Sequence, residues 1–332
     1  MRRLRLHLCL LLLAALAPAL AACGSDASDA APNATATLLL DFQPNAVHTG
    51  VYTALDRGYD SALGLDLRVR VPGSSTDAVK LLLSGRTDLA ILDIHDLALA
   101  REAGRDIVGV MALVQTPLAA ILAQPRIRTP RDLEGERVGV TGLPSDDAVL
   151  RSIVAGAGGD PGKVRATTIG FTAVRSMLTR RVAGATAFWN AEGVALRAQR
   201  PGVREFRVDD YGAPAYPELV LVVSRETLQD RPAVVRASVA ALARGYEEVL
   251  SDPESGVSAL LGAVQGLDRD QVQRELDAVS PSFTVGARGF GELDHARLRA
   301  WARWEKRFGI TKQEPDVELA FDGRYVPTPG RD

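Results

Sequence analysis

Cysteine is almost missing from this chain: 332 residues include two, Cys9 and Cys23. Both sit at the extreme N-terminus, so the body has no thiol for a disulfide, a zinc-thiolate site or a cysteine nucleophile. Histidine is scarce as well, with four residues, and no nucleophile or metal cluster that would mark an enzyme can be read from the sequence. An excess of positive charge is lacking, with 39 basic against 41 acidic residues, so there is no nucleic-acid footprint. Long apolar runs are confined to the first residues, which excludes a multi-pass membrane protein. What remains is ordinary globular material. A hydrophobic share of 46% and a charged share of 24% exclude a largely disordered or collagen-like chain. The length leaves room for about two domains.

The N-terminus carries the information about location. Arg2, Arg3 and Arg5 precede an apolar run from Leu8 to Ala22, the pattern of an export signal. It closes on Leu20-Ala21-Ala22-Cys23-Gly24, which looks like a bacterial lipobox in which Cys23 is acylated and becomes the mature N-terminus. The expected segments are therefore a lipoprotein signal over residues 1–22 and a flexible tether over 23–36, too poor in large apolar residues to fold. Removing the signal takes three arginines and no acid, leaving 36 basic against 41 acidic residues and a formal net charge of −5. The expected location is outside the cytoplasmic membrane, lipid-anchored to the outer face of a bacterial cell.

Through the first two-thirds of the chain, apolar runs of strand length alternate with helical-period segments, as in parallel α/β construction. One cycle runs from Thr37 to Ala123 and a second from Arg137 to Val223; beyond Arg225 the pattern is helical. This predicts an α/β protein of two lobes, with residues 37–125 and 224–332 in the first and 126–223 in the second. The crossovers are expected near Gln124–Arg128 and Leu221–Arg225. A cleft at the carboxyl ends of the strands is where such sheets bind ligands. The Gly156–Gly162 stretch lacks the Lys-Ser/Thr ending of a phosphate loop and reads as a turn.

Two clusters fall at strand ends. In Asp41-Phe42-Gln43-Pro44-Asn45-Ala46-Val47-His48, Asn45 can cap a helix, and His48 falls in its first turn, where the dipole favours a neutral imidazole. Such an amide and imidazole beside an aromatic ring can read the edge of a small polar heterocycle. The same residues also read as a plain cap with a solvated histidine. Ala187-Phe188-Trp189-Asn190-Ala191-Glu192-Gly193 repeats the placement in the second lobe, with Asn190 as cap, Glu192 in the first turn and Trp189 beside the cleft. Its bland counterpart is a core tryptophan, a cap and a dipole-favoured glutamate.

Three stretches resemble a known family. Leu40-Asp41-Phe42-Gln43-Pro44-Asn45-x-x-His48-Thr49-Gly50-Val51-Tyr52, Phe188-Trp189-Asn190-x-Glu192-Gly193 and Tyr216-Pro217-Glu218-Leu219-Val220-Leu221 are similar to segments of the thiamine-pyrimidine (NMT1/ThiY-like) solute-binding proteins. The resemblance runs from Thr37 to about Phe308. It implies a type II periplasmic-binding-protein fold closing over a pyrimidine precursor of thiamine. Its partners would be the permease and ATPase subunits of an ABC importer, with a monomer expected, no cofactor and no metal. Close relatives bind riboflavin, and remoter ones bind alkyl sulfonates, taurine or nitrate. The family's eukaryotic synthases carry a cysteine-rich iron-site motif that this body cannot supply. Phe42 stands where many pyrimidine binders carry Trp, and Asp93-Ile94-His95 replaces a Ser-Tyr-Gln-like stretch.

Charge narrows the ligand class. The polar residues expected at strand ends, Asn45, His48, Asp93, Asp146, Glu192 and Glu218, include no Arg or Lys. Helix N-termini near Ser74 and Ser75 and near Ser145 could hold an anion through backbone N–H groups. An amine-bearing aminopyrimidine suits the carboxylates better, with aromatic faces to stack on. The expected ligand-contacting set is thus Phe42, Asn45, His48, Ser74, Ser75, Asp93, Ser145, Trp189, Asn190, Glu192, Tyr216 and Glu218.

Overall fold

A computed structural model describes residues 34–73, 77–143 and 145–327. The expected signal segment, Cys23, most of the tether, Ser74 and Ser75 lie outside the described residues. Ten strands form among the described residues; the inner ones come from runs rich in Val, Leu, Ile and Ala that are buried on both faces, while others carry charged residues and are partly exposed. They are β1 (Ala34–Leu39), β2 (Leu65–Arg70), β3 (Leu89–Asp93), β4 (Ile107–Val114), β5 (Ala119–Ala123), β6 (Arg137–Val140), β7 (Arg165–Thr168), β8 (Gly184–Phe188), β9 (Arg204–Arg207) and β10 (Leu219–Ser224). The tether expectation overran the fold by three residues, because Ala34 already pairs with Leu65 at the start of β1.

The strands make two five-stranded sheets, ordered β2-β1-β3-β10-β4 and β7-β6-β8-β5-β9. In each sheet four of the five strands point the same way, the exceptions being β10, antiparallel to β3 and β4, and β5, antiparallel to β8 and β9. This moves the crossovers. The chain leaves the first sheet between β4 and β5, at residues 115–118, and returns between β9 and β10, at 208–218. β5 therefore belongs to the second sheet and β10 to the first, the reverse of the boundaries expected near residues 125 and 223. Apolar runs show where strands lie but not which sheet they join, and that accounts for the shift.

The helices after β10 pack back on the first sheet. The helix Pro232–Ser251 crosses Thr49–Asp56, and the Tyr246 hydroxyl donates to the Val47 carbonyl at 2.8 Å. Two glycines permit this crossing. A Cβ on Gly50 would lie 2.3 Å from the Tyr246 ring, and one on Gly245 would lie 2.1 Å from the Gly50 carbonyl oxygen. Gly50, part of the first motif, thus serves packing. The 156–162 stretch is the expected turn, with Gly158 at φ +76° followed by a single 3-10 turn, Pro161–Lys163. No described helix is long and apolar enough to cross a membrane.

Candidate functional site

The carboxyl ends of β1 and β3 face those of β6, β7 and β8 across a cavity of about 740 Å³. Its wall is formed by Asp41, Phe42, Asn45, Asp93 and Asp96 from the first sheet's side, and by Ser145, Asp146, Phe171, Phe188 and Glu192 from the second's. Two aromatic rings meet across it: Phe42 packs on Phe171 with ring centroids 4.5 Å apart and planes at 68°, an edge-to-face arrangement.

Asn45 is the expected cap, its side chain accepting from the Val47 N–H at 2.9 Å. His48 behaves otherwise than either reading of it. The ring is fully buried and absent from the cavity wall. Its Nδ1 accepts the Asn45 N–H at 3.2 Å, so Nε2–H donates to Asp41 Oδ1 at 2.8 Å. His48 thus positions Asp41, which does reach the cavity. Sequence reasoning quoted Asp41 without selecting it; the seven-residue spacing around a Pro-Asn turn was the available signal.

At the second strand end, Glu192 opens the helix Glu192–Gln199 and lines the cavity. Its Oε2 accepts the Phe188 N–H at 3.2 Å, and burial pushes its carboxyl up to about 7. Trp189 turns away from the cavity, donating its indole N–H to the Pro117 carbonyl at 3.0 Å, with the Arg207 guanidinium 4.0 Å from its ring centroid. Asn190 is not the cap, since Ala191 occupies that position without a side-chain bond. The Asn190 amide is fully buried and has no hydrogen-bond partner among the described residues.

Three further carboxylates line the cavity. Asp146 is saturated: it accepts from the Thr141, Gly142 and Leu143 N–H groups and from the Thr141 and Thr186 hydroxyls, and so clamps the loop after β6. Asp96 accepts the Ser145 N–H at 3.0 Å across the cleft, and burial raises its carboxyl to about 6. Asp93 caps the next helix by accepting the His95 N–H at 2.7 Å, and burial drives its carboxyl well up.

Tyr216 and Glu218 lie behind the cavity wall instead of in it. Glu218 Oε2 accepts the N–H groups of Leu118, at very short range, and Ala119, at 3.0 Å, so that it braces one crossover against the other. The Tyr216 hydroxyl lies 3.1 Å from His95 Nε2. His95 Nδ1 is in close contact with the Glu305 carboxylate. Burial opposes charge on that imidazole, yet Glu305 and Asp93 prevail and raise it to about 10.

Of the expected residues, the structure therefore gathers Phe42, Asn45, Asp93, Ser145 and Glu192 on one cavity. His48, Trp189, Asn190, Tyr216 and Glu218 support it from behind. The cavity adds Asp41, Asp96, Phe171 and Phe188, and one cation, Arg105, exposed at its edge. Among the described residues six carboxylates line the cavity against that single guanidinium, so the acidic character expected of the cleft is present.

Two α/β sheets with a carboxylate-lined cleft define a two-lobe solute-binding architecture, the type II periplasmic-binding-protein fold. The alkanesulfonate-binding protein of Xanthomonas axonopodis pv. citri shares it at TM-score 0.69, 16% identity and coverage of 88% of this chain and 99% of that one, a likeness of fold alone. The chain belongs to the NMT1/THI5-like family, whose pattern matches residues 45–256. The formylaminopyrimidine-binding protein of Halalkalibacterium halodurans is 34% identical over 73% of this chain and 74% of its own length. The riboflavin-binding protein RibY of Chloroflexus aurantiacus is 26% identical over 93% and 91%. A pyrimidine phosphate synthase of Legionella pneumophila is 23% identical over 88% and 92%. Binding proteins and synthases thus share this family, and the more similar of these relatives are binding proteins. A small-molecule-binding role follows.

Proposed function

We propose that the protein is the lipid-anchored, extracytoplasmic binding component of an ABC importer, taking a thiamine-type aminopyrimidine of the formylaminopyrimidine or hydroxymethylpyrimidine kind. The observation that carries this reading is Glu192: a cavity-facing carboxylate held only by backbone N–H groups, that of Phe188 and its own, its charge disfavoured by burial, with Phe42, Phe171 and Phe188 around it. An exocyclic amine or a protonated ring nitrogen would supply the missing donor, and the aromatic rings would face the heterocycle. Sulfonate and nitrate fit poorly, since either would enter among carboxylates. Riboflavin is the second reading. Its support is the cavity of about 740 Å³, more than a single ring fills, and the near full-length match to RibY.

In this reading the two lobes close about the crossovers at residues 115–118 and 208–218, and the mature protein hangs from an acylated Cys23. Calorimetric titration with a formylaminopyrimidine, riboflavin and taurine tests the ligand. Wild type should bind the pyrimidine, Glu192→Gln should lose roughly 1–3 kcal/mol of affinity, and taurine should give no heat. Equal binding by the variant, or no heat with the pyrimidine, overturns it. For the anchor, Cys23→Ala should abolish metabolic labelling with a fatty acid, and persistent labelling would remove that part.

A further inference from the structure

Behind the cavity wall, the carboxyl groups of Asp93, Glu218 and Glu305 surround the single imidazole of His95. Among the described residues, no lysine or arginine forms an ion pair with any of the three. One imidazolium offsets one carboxylate, so the cluster holds surplus negative charge away from water, a costly state unless protons or a cation balance it. The donor atoms of Asp93, His95 and Glu218 lie within 4.8 Å of one another. We propose that these three residues form a binding site for one divalent transition-metal cation.

Three independent features of the cluster support a metal over a purely proton-balanced network. His95 turns Nδ1 to the Glu305 carboxylate, the outer partner to which a metal-bound imidazole usually donates, so that Nε2, now 3.1 Å from the Tyr216 hydroxyl, is the nitrogen that would meet the cation. Glu218 spends Oε2 on two backbone N–H groups, while its buried Oε1 meets no N–H or hydroxyl donor among the described residues, and the Asp93 carboxyl lies within hydrogen-bond reach of the Glu218 carboxyl. Asp93 also lines the cavity and so provides a route in from solvent. One imidazole and two carboxylates form a mixed N/O set that suits Zn²⁺ or Mn²⁺. Bonds of about 2.0–2.2 Å at tetrahedral angles set donors about 3.3–3.6 Å apart, so a pair at the 4.8 Å limit must close by roughly 1.2–1.5 Å. The Tyr216 hydroxyl, 3.1 Å from Nε2, stands beside the coordination position. Because Glu218 braces the first crossover through Leu118 and Ala119, the cation would stiffen the passage between the two sheets.

The balance of the binding step is simple: the cation takes the Nε2 lone pair and the carboxylate oxygens, and protons held there leave to buffer. The test uses the purified full-length chain incubated separately with Zn²⁺ and Mn²⁺, then freed of excess metal. Elemental analysis should find one cation per chain with at least one of the two ions. Titration of the wild type in buffers of different ionisation enthalpy should show proton release, a readout that depends on no variant. Glu218→Gln, which can still accept from Leu118 and Ala119, should weaken the metal about 10–100-fold or more, and Glu305→Gln, acting through His95, about 10–100-fold. Circular dichroism confirms that each variant is folded. No retained cation in the wild type with either ion overturns the proposal, as does a folded Glu218→Gln that binds metal with undiminished affinity.

Discussion

Asp41 and Glu192 occupy matching places, each just beyond a strand end and each facing the same cavity from opposite sheets. They are supported very differently. Asp41 has a buried histidine behind it, whose Nε2–H reaches its Oδ1 at 2.8 Å while Asn45 fixes the other ring nitrogen. Glu192 has only backbone N–H groups, that of Phe188 at 3.2 Å and its own, and burial drives its carboxyl up to about 7. The first carboxylate is compensated by the protein itself. The second is left to be compensated by whatever enters the cavity.

The comparison breaks first at His48. His48→Ala removes a fully buried ring, orphans Asp41 and leaves the Asn45 N–H without its acceptor, so stability should fall by about 3 kcal/mol in a denaturant titration. A loss below about 1 kcal/mol would show that Asp41 does not depend on its brace. Next in size is Glu192→Gln in the empty protein. The folded value of about 7 lies above the ordinary 4.5, so the native state holds an extra proton between them. The stability that this protonated carboxyl contributes is full below about pH 4.5 and is lost as pH rises through about 7. Gln escapes that loss. Between pH 4.5 and pH 8 the variant should gain about 2–3 kcal/mol on wild type in urea melts, and a constant difference across that window would mean Glu192 is well solvated. The smallest effect belongs to Phe171→Leu. Losing the edge-to-face contact with Phe42 should cost about 0.5–1.5 kcal/mol of adhesion across the cleft, visible as a larger scattering radius of the empty protein. An unchanged radius would show that the rings do not hold the lobes together.

Much of the fold was readable because its signals are local. Runs such as Ile107–Val114 and Leu219–Ser224 are continuous and apolar, and the inner strands of both sheets sit within a few residues of such runs, while β2, β7 and β9 carry weaker, mixed patterns. Sheet membership was not readable, since β5 and β10 differ from their neighbours only in the partners they find. At the site, Asn45 and Glu192 were legible from strand-to-helix chemistry. His48, Trp189 and Asn190 were assigned to the right neighbourhood and the wrong side of the wall, because a motif fixes spacing but not which way a side chain turns. Phe171 had no signal, lying in an ordinary Gly-Phe-Thr turn whose facing ring is 129 positions away. The Asp93, His95 and Glu218 cluster escaped a count of four histidines for the same reason: residues 93 and 218 meet only once β10 has paired with β3, which sets Leu219 opposite Asp93.

That pairing bears on how the chain must fold. β3 and β4 are not neighbours; β10 lies between them and bonds to both. Until residues 219–224 have been made, the first sheet lacks its fourth strand, with an open edge on β3 and β4 without its partner. The missing strand arrives roughly a hundred residues after β4, once every strand of the second sheet has been synthesised. A nascent chain of this protein therefore passes through a long stage with exposed, apolar strand edges, the state most prone to aggregation. Completing the first sheet is a late, long-range event, and the protein should fold slowly for its size.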